Sequence, residues 1–231
     1  MECLITEKKK ITDDISLFHL IPSNGEKVNF FPGQFCILEN LQFPDNRKKH
    51  YFSYASIPNM PFLEFCIRSY GPWTKKLLEK SVGEKLQLTG PFGHFVWKNN
   101  AGEAVFIVGG IGISPVISII RFLKRSGFPA RILLIYGVRS PEAAVYQKEL
   151  DNLQNNFPEF FRVIYVYSEK APAKWTGYKG LITRQILEGE INFSKKPYFY
   201  MSGPPPFLAS MLKILNNKSV KPGSIIKETI Y

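Results

Sequence analysis

Val105-Phe106-Ile107-Val108-Gly109-Gly110-Ile111-Gly112-Ile113-Ser114-Pro115 constrains the fold more than any other stretch of the chain. An apolar run of strand type ends in closely spaced glycines and passes into a helix-compatible segment. Glycines at such a junction let backbone N–H groups approach a phosphate, and the helix N-terminus adds partial positive charge. Pro115 suits a first helical turn, where its missing N–H costs nothing. The spacing is Gly-Gly-x-Gly and not the full Gly-x-Gly-x-x-Gly. The same residues could also form a tight strand-to-helix turn with no ligand.

Around that junction the second half of the chain alternates buried strands with helices. Ala104–Val108, Arg131–Tyr136, Phe161–Tyr167 and Pro197–Met201 are continuous apolar runs, as expected of strands covered on both faces. Ser114–Lys124, Glu142–Asn155, Gly180–Leu187 and Pro205–Leu215 read as helices between and after them. That order predicts a doubly wound parallel α/β layer with right-handed crossovers. The first half has a different grammar. Asp14–Ile21, Gln34–Leu38, Tyr51–Ile57, Phe62–Arg68 and Lys85–Thr89 are short strands bounded by turn residues, with one helix over Thr74–Lys80. Short strands at this spacing predict an antiparallel barrel. The polar stretch Lys98–Glu103 separates the halves, giving expected domains 1–98 and 103–231.

The 231 residues are enough to bury a core without disulfides or metal. Cys3, Cys36 and Cys66 have neither metal-ligand nor redox-motif spacing, which argues against zinc or an iron–sulfur cluster and fits a reducing, cytoplasmic setting. The N-terminus lacks a signal-peptide core, and no apolar run reaches membrane-spanning length, so membrane insertion is not expected. The net charge of +11 is scattered apart from Lys8–Lys10 and Arg47–Lys49. No nucleic-acid motif accompanies it, and an acidic electron-transfer partner is a further reading of the charge. His19, His50 and His94 form no recognisable triad with a Ser or Cys motif, which disfavours a hydrolase.

Four further segments carry candidate chemistry. Tyr136-Gly137-Val138-Arg139-Ser140 ends a buried strand, where open α/β sheets bind ligands; Arg139 could face a phosphate or ribose, or be a surface arginine. Tyr200-Met201-Ser202-Gly203-Pro204-Pro205 ends another, and could equally be an ordinary strand exit. In Lys48-Lys49-His50-Tyr51-Phe52-Ser53-Tyr54-Ala55-Ser56, aromatics alternate with small hydroxyl residues. One face could stack an aromatic ring while hydroxyls bond its edge, or the rings could be core. Gly71-Pro72-Trp73-Thr74 precedes the short helix, with Thr74 expected either as a plain N-cap or as a hydroxyl aimed at an anion.

Taken in order, Pro32-Gly33-Gln34-Phe35, the aromatic-serine strand, Gly71-x-x-Thr74, Gly90-Pro91-Phe92-Gly93, the glycine junction, Tyr136-Gly-x-Arg139 and Ser202-Gly-Pro resemble the ferredoxin–NADP reductase-like superfamily of flavin oxidoreductases, over essentially the whole chain. The resemblance implies an antiparallel Greek-key flavin barrel followed by a Rossmann-like nicotinamide-nucleotide domain. It implies FAD, or less readily FMN, reduced by NADH or NADPH, and electrons passed to a separate ferredoxin-like, haem or other redox protein or a small acceptor. A non-catalytic flavin- or nucleotide-binding regulatory module is the alternative. His50, Tyr51, Phe52 and Ser53 match the R-x-Y-S strand, with His50 replacing the phosphate-binding arginine, Phe52 packing the flavin and Ser53 orienting it. Phosphate binding would then fall to Arg68, Lys48 or Lys49. Gly71, Trp73 and Thr74 fall on the pyrophosphate motif, and Gly109, Gly110, Gly112 and Pro115 on the nucleotide loop. Ser202, with Gly203 and Pro204, replaces a cysteine expected beside the nicotinamide. Ser168-Glu169-Lys170 lies where NADPH-preferring relatives often carry serine and arginine, so Glu169 favours NADH. Tyr231 would be an aromatic lid with Glu228 near the flavin edge, or the end of a frayed tail.

Overall fold

The computed structural model describes residues 1–39, 49–98 and 102–228. Two six-stranded sheets are built from successive halves of the chain. The first is antiparallel and contains β1 (Glu2–Lys10), β2 (Ile15–Pro22), β3 (Phe35–Glu39), β4 (Lys49–Ser53), β5 (Leu63–Arg68) and β6 (Lys85–Phe92), in the order β4-β3-β6-β1-β2-β5. Insertion of β6 between β3 and β1 makes the connectivity Greek-key. The strand expected over Tyr51–Ile57 stops at Ser53 because the chain changes partners. Tyr54 N–H donates to the Gln34 carbonyl beside β3, and Ala55 N–H donates to the Glu64 carbonyl in β5, at 3.0 and 2.8 Å. That crossover brings the two edges together and closes the barrel. Cys3, Ile5, Phe18, Leu20, Leu38, Phe65 and Leu88 fill its interior. Strand β1 had no sequence expectation: three of its residues are lysines, and only its first half carries the alternation that buries Cys3 and Ile5. The helix α1 (Pro72–Glu79) lies over the barrel through Trp73 and Leu77.

The second sheet is parallel: β7 (Gly102–Gly109), β8 (Ala130–Val138), β9 (Phe161–Tyr167), β10 (Tyr178–Lys179), β11 (Tyr198–Ser202) and β12 (Ile225–Lys227), in the order β10-β9-β8-β7-β11-β12. Helices α2 (Ile113–Arg125) and α3 (Gln147–Asn156) cover the face toward the barrel. Helices α4 (Arg184–Glu190) and α5 (Pro205–Asn217) cover the other. The expected helix over Glu142–Asn155 begins late, because Pro141–Ala143 form a 3-10 turn and Tyr146 takes a left-handed conformation (φ 66°) immediately before Gln147. The expected Gly180–Leu187 helix also starts late, at Arg184, capped by the Thr183 hydroxyl. The segment before Glu228 is not frayed, since Ile225–Lys227 pair parallel with Phe199–Met201 as the sheet's edge strand. Ile15, Ala55, Cys66 and Phe95 of the first half share one apolar cluster with α2 and the parallel sheet, so the halves pack through a common core.

Candidate functional site at the seam

The glycine junction leads from β7 through a 3-10 turn at Gly110–Gly112 into α2. Each glycine has a separate reason to be there. Gly110 is left-handed (φ +55°), and a Cβ on it would point into open space. A Cβ on Gly112 would lie 2.6 Å from the Ser202 carbonyl carbon and oxygen. The loops after β7 and β11 therefore touch backbone to backbone, an approach that a side chain at either glycine surface would prevent. Phe207 in α5 packs on the Cα faces of Gly109 and Gly203 and buttresses the contact from behind. Pro115 is buried in the first turn of α2.

Beside this contact three residues from three places in the chain meet. Ser53 at the end of β4 donates its hydroxyl to Glu228 Oε1 at 2.5 Å, and Ser202 at the end of β11 donates to Glu228 Oε2. Ser202 is fully buried and Ser53 almost so. Glu228 is brought there by β12, with its backbone N–H on the Met201 carbonyl at 2.9 Å. Desolvation raises its carboxyl pKa to about 7, against the opposing pull of the two serine hydrogen bonds. The barrel serine, the parallel-sheet serine and the Glu228 carboxyl form one hydrogen-bonded unit across the seam. Tyr231 lies outside the described residues.

Along β4, Lys49, His50 and Tyr51 are exposed and Phe52 is half-buried, so the strand presents aromatic surface instead of burying it. His50 packs at a tilt against Trp73 with ring centroids 4.4 Å apart, and Phe52 stacks on the same indole at 5.7 Å. Partial desolvation of His50 pushes its pKa down, so its imidazole is neutral at pH 7 and a poor replacement for a phosphate-binding arginine. Lys49 faces Glu39 at 3.4 Å, and Lys48 lies outside the described residues. The expectation of Thr74 as a plain N-cap needs correction. Gly71 is the N-cap and Thr74 is the third helical residue. The Thr74 hydroxyl accepts from Tyr70 and Gly71 N–H at 2.8 and 3.1 Å, and donates to the Gly71 carbonyl. It shapes the loop into α1. A Cβ on Gly71 would meet nothing within 4 Å, which leaves open space at that helix start.

Arg68 and Arg139, which sequence reasoning placed in separate phosphate sites, converge on one carboxylate. Arg68 Nε donates to Asp14 Oδ2 at 2.8 Å, Arg139 Nη2 donates to Asp14 Oδ1, and Thr12 Oγ1 donates to the same oxygen at 2.7 Å. Burial works against ionisation of Asp14, but these donors outweigh it and hold the carboxyl at about 2. The Ser168–Lys170 turn is exposed and adjoins Arg139, whose carbonyl accepts from Glu169 and Lys170 N–H at 3.0 and 2.9 Å. Lys170 also lies 3.7 Å from Glu142.

A second ionic cluster ties the halves together. Arg121 of α2 donates to the Ala55 carbonyl and to Glu64 Oε1 of β5, both at 2.8 Å, and makes a bidentate pair with Glu149 of α3. Tyr146 and His19 also reach Glu64, at 2.9 and 3.0 Å. Nothing local marks Asp14, Glu64, Arg121 or Glu149 in the sequence; only their meeting across the seam distinguishes them from surface charges.

The shallow hollows at the opposite, N-terminal edge of the parallel sheet, lined by Glu103, Arg131 and Phe160 among others, are remote from this site. Among the described residues, no group of three or more His, Cys, Asp or Glu could hold a metal, and no helix is long and apolar enough to cross a membrane.

Comparison with known proteins agrees with this layout. Residues 2–97 match the family model described as "Oxidoreductase FAD-binding domain", and residues 106–213 match "Oxidoreductase NAD-binding domain". One component of the Na(+)-translocating NADH-quinone reductase of Yersinia enterocolitica is 35% identical over 173 residues, 73% of this chain and 41% of that protein. The chain spans about two-fifths of the length of such curated relatives. Among solved structures, the ferredoxin reductase in carbazole 1,9a-dioxygenase superposes with a TM-score of 0.85 at 27% identity, over 100% of this chain and 69% of that one. A ferredoxin NADP+ reductase from Neisseria gonorrhoeae, with bound FAD and NADP, shares the fold with a TM-score of 0.81 at 20% identity, over 99% of this chain and 97% of that one.

Proposed function

Because the chain belongs to the ferredoxin–NADP reductase-like superfamily of FAD/NAD(P)-binding flavin oxidoreductases, we propose that it takes a hydride from NAD(P)H onto bound FAD and passes electrons to a separate acceptor. The proposal assigns residues 1–98 to flavin binding and 103–231 to nucleotide binding. The observation that carries it is the Ser53–Glu228–Ser202 unit, which joins the two halves at the carboxyl ends of β4 and β11.

The residues present fit such a pair of ligands. Phe52 and Tyr51 offer aromatic surface next to the Ser53 hydroxyl, Gly71 opens the start of α1, and Gly110 leaves room at the start of α2. The flavin supplies the redox chemistry when bound. The chain supplies position and a proton inventory. With its proton given to Glu228, Ser53 Oγ offers only lone pairs to a ring edge. When Glu228 is itself protonated, one serine hydroxyl is released to donate. A carboxyl with a pKa of about 7 can make that change near neutral pH. Ser202 holds the opposite carboxylate oxygen and forms the floor on which a nicotinamide would rest.

NADH is the preferred donor in this reading, supported by exposed Glu169 beside Arg139, where a further phosphate would meet a like charge. The acceptor is a separate redox protein or small molecule. The net charge of +11 favours an acidic one. Anaerobic titration of the FAD-reconstituted protein with NADH tests the reading. The flavin absorbance is expected to bleach and to recover on addition of an acceptor. Failure to take up FAD overturns it. Colour that persists with both NADH and NADPH replaces it with the non-catalytic binding module.

A further inference from the structure

Helix α2 starts at the glycine junction and is buried along most of its length, from Ile113 through Ile120 and again at Leu123. Apolar packing would be enough to seat such a helix, yet a polar stripe runs through it. Ser114, Ser118 and Arg121 follow at i, i+4 and i+7 and so share one face. Ser114 turns inward, donating to the Ile111 carbonyl of its own first turn at 3.0 Å. Ser118 does not. A hydroxyl inside a helix ordinarily satisfies itself on the carbonyl one turn back, but Ser118, fully buried, donates to the Ser56 carbonyl at 2.5 Å. Arg121 Nη1 donates to the Ala55 carbonyl at 2.8 Å. One helix of the parallel half therefore holds two successive carbonyls of the chain leaving β4. The donors and the hydroxyl of that segment go to the barrel instead. Tyr54 N–H is on the Gln34 carbonyl, Ala55 N–H is on the Glu64 carbonyl, and Ser56 Oγ accepts from Glu64 N–H at 3.0 Å. Ile119 of the same helix presses on Gly33, where a Cβ would come within 3.0 Å of its Cδ1, one residue before Gln34.

We propose that Ser118 is a positioning residue for the flavin: through the Ser56 carbonyl it fixes the exit of β4, and with it Ser53, in register with the glycine junction at the head of its own helix. The inference rests on the flavin and nucleotide reading above and adds a residue that the motifs do not mark. Ser56 lies three positions beyond Ser53, and the carbonyls and N–H groups of the intervening chain are pinned from opposite sides. Alanine would fill the Ser118 position with better helix propensity, so what the serine adds is this bond. Arg121 acts on the neighbouring carbonyl through a side chain that also answers to Glu64 and Glu149. Ser118 answers to Ser56 through the shortest polar side chain available, which makes it the stiffer of the two holds.

Anaerobic spectra of the FAD-reconstituted protein test this with and without turnover. Saturating NAD+ is expected to shift the visible band of bound FAD in the wild type. In Ser118→Ala that shift should fall by about half or more, while the dissociation constants of FAD and NAD+ stay within about threefold. Mixed with NADH, Ser118→Ala should reduce its flavin at a limiting rate roughly tenfold lower with little change in the NADH dissociation constant, since about 1 Å of misplacement can cost about a hundredfold. Ser118→Cys fills the same space with a weaker donor and should fall between the two; it carries the test by the same readouts if the alanine variant does not fold. Ile191→Val thins the core on the far face of the parallel sheet and should match the wild type in both readouts despite a comparable loss of stability. A spectral shift and a limiting rate within about twofold of wild type in Ser118→Ala, or equal losses in Ile191→Val, overturn the positioning role. A wild type that takes up no FAD overturns the flavin reading and this inference together. One that takes up FAD and shifts with NAD+ but is not reduced overturns the proposed activity alone, and the inference then stands or falls on whether Ser118→Ala halves the shift.

Discussion

At the scale of single residues, Glu228 has the property most readily measured. Its folded pKa of about 7 lies above the ordinary carboxylate value of 4.5, so the folded state holds its proton more tightly than the unfolded chain does. By linkage, the associated stability is fully present below about pH 4.5 and is lost as pH rises through 7. At about 1.4 kcal/mol per pKa unit the full loss is on the order of 3–4 kcal/mol. Thermal melts from pH 4.5 to 8 should show the wild type losing most of this increment relative to Glu228→Gln, which is neutral throughout; parallel curves would mean the carboxyl titrates in the folded state as it does in the unfolded chain. Gly112 sets a steric limit instead. Its Cβ direction ends 2.6 Å from the Ser202 carbonyl, a backbone group that cannot rotate aside. Gly112→Ala is expected to cost about 1–3 kcal/mol by overpacking and to weaken NADH binding by parting the β7 and β11 loops. Gly110→Ala has space for its methyl but a left-handed backbone. It should cost less than Gly112→Ala in the same denaturation experiment.

At the scale of elements, α1 separates two meanings of one motif. Gly71-x-x-Thr74 reads in sequence as a ligand-binding turn, but the Thr74 hydroxyl is already spent on Tyr70 and Gly71. Thr74→Val should therefore destabilise the flavin-free protein by about 1 kcal/mol, the cost of two partly buried N–H groups that lose their acceptor, and Thr74→Ser should restore it. A stable Thr74→Val protein that fails only in FAD uptake would return the hydroxyl to the ligand. Other elements differ in how far the sequence reveals them. The four central strands of the parallel sheet, β7, β8, β9 and β11, were legible because each is a largely apolar run, and Phe161–Tyr167 agrees end to end. The first strand was not, because half of its alternation is interrupted by solvent-facing lysines. The edge strand Ile225–Lys227 was not legible either. Three residues carry no periodicity, and it exists because β11 offers it a partner.

At the scale of the whole molecule, the seam is held by contacts invisible to any local pattern. Ser53 and Glu228 are 175 residues apart, Asp14 and Arg139 125, and Glu64 and Arg121 57. The motifs located the glycine loop and the two serines, but the charges that orient one half on the other belong to no motif. Glu64 is the centre of the larger tie. Its burial opposes ionisation, yet Arg121, His19 and Tyr146 together keep its pKa below the ordinary value. A depressed carboxylate contributes stability that is present above its unfolded pKa and lost as pH falls through the folded one. Glu64→Gln should therefore remove acid sensitivity as well as stability, costing about 3–5 kcal/mol because Arg121 loses its buried counter-ion and keeps only the partly exposed Glu149. Arg121 also holds the Ala55 carbonyl, two residues beyond Ser53, and its helix begins at the glycine junction. If the tie sets how a nicotinamide meets a flavin, Glu64→Gln should slow flavin reduction at saturating NADH more than it raises the NADH dissociation constant. Rapid-reaction measurement of both quantities decides the point. An unchanged limiting rate in a folded variant would reduce the cluster to a staple between two halves that align without it.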